Sequence, residues 1–133
     1  MTVRVVDASA LGALVFGEPS AAAVAARLGT GHLAAPVLIR FELASICLKK
    51  INAHPSLEGK LLEAYELGSR LAIRLIDVDH DEVIQLARKS VLSAYDACYL
   101  WLARSLKGEL ITLDNKLRAA AVKCGVAAPE IEK

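Results

Sequence analysis

Val3-Arg4-Val5-Val6-Asp7-Ala8-Ser9-Ala10-Leu11 runs from a β-branched segment through an acid into helix-forming residues. Val3 to Val6 reads as a short buried strand. Asp7, Ala8 and Ser9 then offer side-chain oxygens to free amides, and Ala10 to Phe16 carry apolar helix formers. An acid after so few apolar residues leaves no hydrophobic region of secretory length. No stretch approaches the roughly 18 uninterrupted apolar residues of a membrane span. The expectation is a soluble, cytoplasmic protein without membrane attachment.

Outward from this start the chain alternates. Gly17-Glu18-Pro19-Ser20 breaks the first helix, and Pro19 is placed to open the next, Ala-rich from Ser20 to Leu28. Gly29-Thr30-Gly31 turns into a second strand, His32 to Ala35. Helices are expected from Pro36 to about Asn52 and from Ser56 to Leu71, then a strand at Ile73–Ile76 and a helix from about Asp79 to Val91. Ser93 caps a further helix through Leu106, Glu109 to Thr112 forms a strand, and Asp114 to Cys124 a last helix closed by Gly125. Val126-Ala127 offers one more small strand. Short apolar strands alternating with helices imply a parallel sheet covered on both faces. With 133 residues, no repeats and no linker, the expectation is a single α/β domain over residues 1–133.

Hydrophobic residues make up 55% of the chain and mean hydropathy is +0.42, ample for a buried core. Cys47, Cys98 and Cys124 are scattered without CxxC spacing, which reads as reduced thiols on apolar helix faces. Net charge is +1 and alone predicts no nucleic-acid partner. Its distribution matters more. Setting aside four of the fifteen acids leaves eleven against sixteen bases, a balance of +5 that suits a phosphate-bearing ligand.

The four acids set aside are Asp7, Glu42, Asp96 and Asp114. Glu42 has Leu38, Ile39, Ser45 and Ile46 one helical turn away, a mostly apolar stripe where an unpaired carboxylate costs several kcal/mol. A salt bridge to a base such as Arg40 is the ordinary explanation. Asp96 repeats the anomaly among Leu92, Ser93, Tyr99, Leu100 and Ala103, its ordinary explanation being a first-turn acid favoured by the helix dipole. Asp7 and Asp114 each follow a strand and precede a helix, as caps do. Two acids at strand ends and two on core-facing stripes can converge beyond the carboxyl edge of the sheet, where α/β proteins gather ligands. Carboxylates brought together there need protons or cations. Mg2+ or Mn2+, which favour hard oxygen ligands, supply that charge and suit phosphodiester hydrolysis.

Ser9 and Thr112, and more weakly Asn115, stand close enough in sequence to orient a carboxylate or a water, though capping and strand propensity explain them equally. Asp77, Asp79 and Asp81 read as acids collected at a helix start. His32, His54 and His80 read as surface residues, and no serine, cysteine or histidine constellation competes. Arg40, Lys49, Lys50, Lys116 and Arg118 adjoin the acids and are candidates for RNA phosphate contact, against a solvated helix face for any one of them.

Val5-Val6-Asp7-Ala8-Ser9-Ala10-Leu11 with Gly17-Glu18-Pro19, Pro36-Val37-Leu38 through Glu42-Leu43-Ala44, Ser93-Ala94-Tyr95-Asp96-Ala97 with Tyr99-Leu100, and Leu110-Ile111-Thr112-Leu113-Asp114 with Leu117 together resemble the motifs of the PIN-domain family, specifically its VapC-type toxin ribonucleases. Their order and spacing agree over nearly the whole chain. Ser45 departs from the asparagine many relatives carry three residues after the glutamate. The resemblance implies a three-layer α/β/α sandwich with a short central parallel sheet. It also implies an Mg2+- or Mn2+-dependent endoribonuclease with Asp7, Glu42, Asp96 and Asp114 as catalytic and metal-holding residues. RNA as substrate, a VapB-like cognate antitoxin seated in the active-site groove and a homodimer follow from the same likeness.

Two rivals remain. A phosphoacceptor receiver domain wants adjacent acids after the first strand and a lysine at a late strand end, where Val6-Asp7-Ala8 and Thr112-Leu113-Asp114 stand. The alternative of a catalytically silent PIN-like module binding RNA or protein is opposed by the presence of all four acids.

Overall fold

A computed structural model describes residues 2–132. Its elements in chain order are β1 (Val3–Val6), α1 (Ala8–Val15), α2 (Ala21–Leu28), β2 (His32–Pro36), α3 (Leu38–Ala53), α4 (Glu58–Gly68), β3 (Ile73–Ile76), α5 (His80–Ser90), α6 (Ala94–Ser105), β4 (Glu109–Ile111) and α7 (Asn115–Lys123), with a 3-10 turn at Pro55–Leu57 before α4. All strand pairings are parallel and the sheet order is β3-β2-β1-β4.

The sheet is buried on both sides at its centre. Val5 and Val6, Ala34 and Ala35, and Leu110 and Ile111 are consecutive residues that point to opposite faces, and none exceeds 2% exposure. Helices therefore cover both faces, as a parallel sheet requires, and the architecture is the expected α/β/α sandwich. The α6 helix packs across β1, β2 and β4, with α5 on its flank. Elsewhere α1 packs against α2, α3 and α4. There α4 comes so close that a Cβ on Gly68 would lie 2.6 Å from a methyl of Val15.

Helix ends follow local chemistry. Asp7, Ser93 and Asp114 stand in extended backbone and cap α1, α6 and α7 with side-chain oxygens. Gly125, at φ +76°, closes α7: its amide bonds Val122 and the Val126 amide bonds Ala121.

Three sequence expectations shift. Pro36 is not the first residue of a helix but the last of β2, in register with Ile76, and α3 starts at Leu38. Pairing with β3 overrides the preference of proline for a first turn. The helix expected from Ser56 begins as the 3-10 turn, because Pro55 keeps His54 out of helical backbone, at φ −138° and ψ 70°. Val126-Ala127 is not a strand; the Ala127 carbonyl accepts a single bond from the Leu110 amide, at 2.9 Å, along the outer side of β4. All three cysteines are free thiols. Among the described residues no helix is long and apolar enough to cross a membrane.

Candidate functional site

The strand order creates one switch point. From β1 the chain moves outward through β2 to β3, then returns to lay β4 against the other side of β1. The carboxyl ends of β1 and β4 thus lie side by side where the strand order reverses, the place where open α/β sheets bind ligands. Asp7 is the residue after β1, and its amide bonds the carbonyl of Ile111, the last residue of β4, at 3.1 Å. Asp114 lies three residues further along, as the cap of α7.

Two hydroxyls strap these connections together. The Ser9 hydroxyl donates to Oδ1 of Asp7 at 2.7 Å and accepts from the Leu113 amide at 3.0 Å. The Thr112 hydroxyl donates to Oδ2 of Asp7 and accepts from the Asp114 amide at 3.0 Å. Oδ1 of Asp7 also accepts from the Ala10 amide at 3.0 Å. A carboxylate has about four lone-pair sites, so one site on Oδ2 of Asp7 stays open.

Glu42, on α3, accepts from the Tyr99 hydroxyl of α6. That phenol, rather than Arg40, is its partner. Arg40 is exposed and lines a cavity of about 260 Å³ beside Leu11, Tyr65 and Leu71, without an ion pair. Asp96 is the third residue of α6, and its amide bonds the Ser93 hydroxyl at 3.0 Å. Its carboxylate enters no ion pair among the described residues. Asp114 spends Oδ1 on the amides of Lys116 and Leu117, at 2.9 and 3.1 Å.

Electrostatics link the four acids in one series. Burial pushes Asp7 from 3.8 up to about 6, against its three hydrogen bonds, and the Asp114 charge pushes the same way. Burial raises Glu42, opposed by the Tyr99 hydrogen bond and reinforced by Asp96. Burial raises Asp96, reinforced by Asp114 and opposed by Ser93 and the Lys116 ammonium. Burial and the bond to Glu42 raise Tyr99, which also feels the Asp7 charge. Each acid thus raises or is raised by at least one other. The four ion pairs among the described residues, Arg4–Glu109, Lys50–Glu18, Arg70–Glu66 and Arg118–Glu130, involve none of them.

By chemistry alone such donors suit a hard divalent cation: they are carboxylate oxygens, and none enters an ion pair among the described residues. No three His, Cys, Asp or Glu side chains among the described residues stand close enough to cage one ion. Mg2+ does not need a cage, since it keeps several waters and binds through one or two carboxylates plus substrate phosphates.

Of the remaining candidates, Asn115 is the exposed first residue of α7. Lys49 and Lys116 are exposed and belong to no ion pair among the described residues. Lys50 is engaged by Glu18 at 2.6 Å and lies 5.7 Å over the ring of Phe16, and Arg118 is held by Glu130 at 3.1 Å. Asp79 caps α5 by accepting from the Glu82 amide at 3.1 Å, as a helix-start acid should. His32, His54 and His80 are exposed. Tyr99 is the residue sequence reading left out of the site. Its signal was a polar-tipped aromatic three residues after Asp96, on the same core-facing stripe.

A four-stranded parallel sheet covered by helices on both faces, with Asp7 and Asp114 just beyond the ends of β1 and β4, defines the class of fold, a PIN-like α/β/α sandwich. The family model described as "PIN domain" matches residues 4–123, and the chain belongs to that family. PIN domains are typically nucleases that use divalent metals, and membership suggests RNA binding. No curated protein gives a significant match. The fold is similar to the crystal structure of PAE2754 from Pyrobaculum aerophilum, with a TM-score of 0.75 over 96% of this chain and 83% of that one. At 24% identity this is a likeness of fold.

Proposed function

We propose that this chain is an endoribonuclease of the VapC toxin type, hydrolysing RNA phosphodiester bonds with Mg2+ or Mn2+ held by Asp7, Glu42, Asp96 and Asp114. What supports the reading is that Asp7 and Asp114 stand at the sheet switch point, that charge repulsion runs from Asp114 to Asp7 and Asp96 and from Asp96 to Glu42, and that none of the four enters an ion pair among the described residues. A divalent cation, when bound, neutralises phosphate, acidifies water and steadies the leaving oxygen. The protein's own part is positional. Ser9, Ala10 and Thr112 fix the Asp7 carboxylate with one lone pair of Oδ2 open. Tyr99 orients Glu42, leaving its Oε1 partnered and Oε2 available. Asp114 contributes Oδ2, its Oδ1 being spent on the Lys116 and Leu117 amides, and Asp96 contributes its carboxylate. Arg40, Lys49 and Lys116 are free to meet RNA phosphates, while Asn115 can orient a water. By the same family likeness, the partners are a VapB-like antitoxin and a second copy of the chain, in the cytoplasm, with all of residues 1–133 in one domain.

Purified protein with Mn2+ should cut RNA at discrete positions, and EDTA, Asp7→Asn or Asp96→Asn should abolish cutting. Induced expression followed by sequencing of RNA 5′ ends should show growth arrest and new ends for wild type alone. A catalytically silent binding module is favoured by one observation, that no three acids among the described residues are close enough to cage an ion. RNA left intact by wild type across Mg2+ and Mn2+ would decide for that module.

A further inference from the structure

A groove of about 500 Å³ runs between the last turn of α5 and the length of α7, lined by Lys89, Ser90, Val91, Lys116, Ala120 and Lys123 among others. All three lysines are exposed, and none belongs to an ion pair among the described residues. Lys116 and Lys123 are seven residues apart on one helix, two turns on the same face, which separates them by about 10 Å. Lys89 faces them from the other wall, and the Ser90 hydroxyl meets the Cys124 thiol at 3.8 Å where α5 and α7 touch.

Helix stability explains two of these charges and not the third. Lys89 and Lys123 sit in last turns, where a cation is favoured by the helix dipole. Lys116 is the second residue of α7, at the end where a cation is disfavoured. Its amide also donates to Oδ1 of Asp114 at 2.9 Å. One end of the groove therefore abuts the acid edge, and the other continues the positive charge away from it.

We propose that this groove is the track for the phosphodiester backbone of a single-stranded RNA as it leaves the acid edge, with Lys116, Lys89 and Lys123 meeting successive phosphates. The proposal rests on the nuclease reading for the identity of the ligand. Phosphate contacts of this kind position the strand and carry no sequence preference. Uncompensated lysines lining a groove raise the local concentration of any polyanion.

The test uses the full chain in EDTA, so that RNA is bound and not cut, with a fluorescent oligouridylate of about twelve nucleotides followed by anisotropy. Lys89→Ala/Lys123→Ala should bind about tenfold more weakly at about 50 mM salt. The slope of log affinity against log salt should become shallower by about 1.4, or about 0.7 for each phosphate of the single strand that is no longer neutralised. Lys89→Arg/Lys123→Arg should restore both. The control Lys60→Ala/Lys107→Ala removes equal charge from α4 and from the amino end of β4, and should leave both unchanged. Equal losses in the two alanine pairs, or none in the first, overturn the track. Mn2+-dependent cleavage by wild type is scored in parallel. Cleavage with an unaffected first pair sinks the track alone, whereas no cleavage and no RNA binding sink both. Binding of a labelled acidic peptide in place of RNA, lost in the first pair, would reassign the groove to a protein partner and refute it.

Discussion

Replacing Asp7 with asparagine separates what this residue does for the fold from what it is proposed to do for chemistry. Asp7 is 4% exposed, and burial carries its carboxyl from 3.8 to about 6. Between those values the folded chain keeps a proton that the unfolded chain has released. Stability gained this way is fully present below pH 3.8 and is lost as pH rises through about 6. At about 1.4 kcal/mol per tenfold change, holding the ionised carboxylate inside the metal-free fold costs about 3 kcal/mol at neutral pH. Asparagine keeps the shape and removes the charge. Its oxygen still accepts from Ala10 and Ser9, while its amide meets the Thr112 hydroxyl, which must turn to accept; that rearrangement gives back about 1 kcal/mol.

Asp7→Asn should therefore be more stable than wild type by about 2 kcal/mol at about pH 7.5 in EDTA, and about equal to it at about pH 4.5. Urea denaturation of both proteins at both pH values reads this double difference, from which the titration of all other groups cancels. The variant should also lose RNA cleavage. If it is less stable than wild type by the same amount at both pH values, Asp7 is a helix cap and nothing more, and its burial stores no electrostatic cost.

The other expectations follow from the same geometry. Mn2+ at about one hundred times its dissociation constant should stabilise wild type by about 2.7 kcal/mol, roughly 10 °C in Tm, and Asp7→Asn much less; a metal-independent Tm counts against the site. Tyr99→Phe frees Glu42 from its anchor and should weaken Mn2+ binding about 10- to 100-fold by calorimetry, with a folding change of only about 1 kcal/mol. Val91→Gly relieves a β-branched residue held at φ 54° and ψ 48°, and should raise stability by about 1 kcal/mol in urea. Gly68→Ala forces α4 off Val15 and should cost about 1–3 kcal/mol by the same assay; no loss would mean slack between α1 and α4.

What could be read in advance was whatever is decided within a few residues. Val3–Val6 and Ile73–Ile76 are strands at the expected bounds, since each is a short run of branched and apolar side chains closed by an acid. Asp7, Ser93 and Gly125 mark helix ends through bonds spanning three to five residues. Non-local choices were invisible. Pro36 could be a first helical residue by its own chemistry and is a strand residue because Ile76 pairs with it. Nothing near Glu42 announces Tyr99, 57 positions away. Lys50 looks free in sequence and is claimed by Glu18 across 32 residues. The strand order, which makes the β1/β4 edge the place for ligands, is likewise a property of the assembled sheet.

The ordinary reading of these acids, as caps and first-turn residues, does not compete with the chemical one. Asp7 caps α1 with Oδ1 and keeps part of Oδ2 for other work. Asp114 caps α7 with Oδ1 alone. At Asp96 the hydroxyl of Ser93 takes the amide, so the cap is complete without the carboxylate. A reciprocal capping box would turn that third-residue acid back toward the Ser93 amide, and no such bond is formed. Capping thus places each carboxylate at a helix start beside the sheet edge and uses at most half of its oxygens. At Asp7 and Asp96 desolvation, reinforced by the Asp114 charge, raises the cost of keeping the carboxylate ionised. A residue chosen for capping alone could be serine at Asp7 without that cost, as Ser93 is at the start of α6.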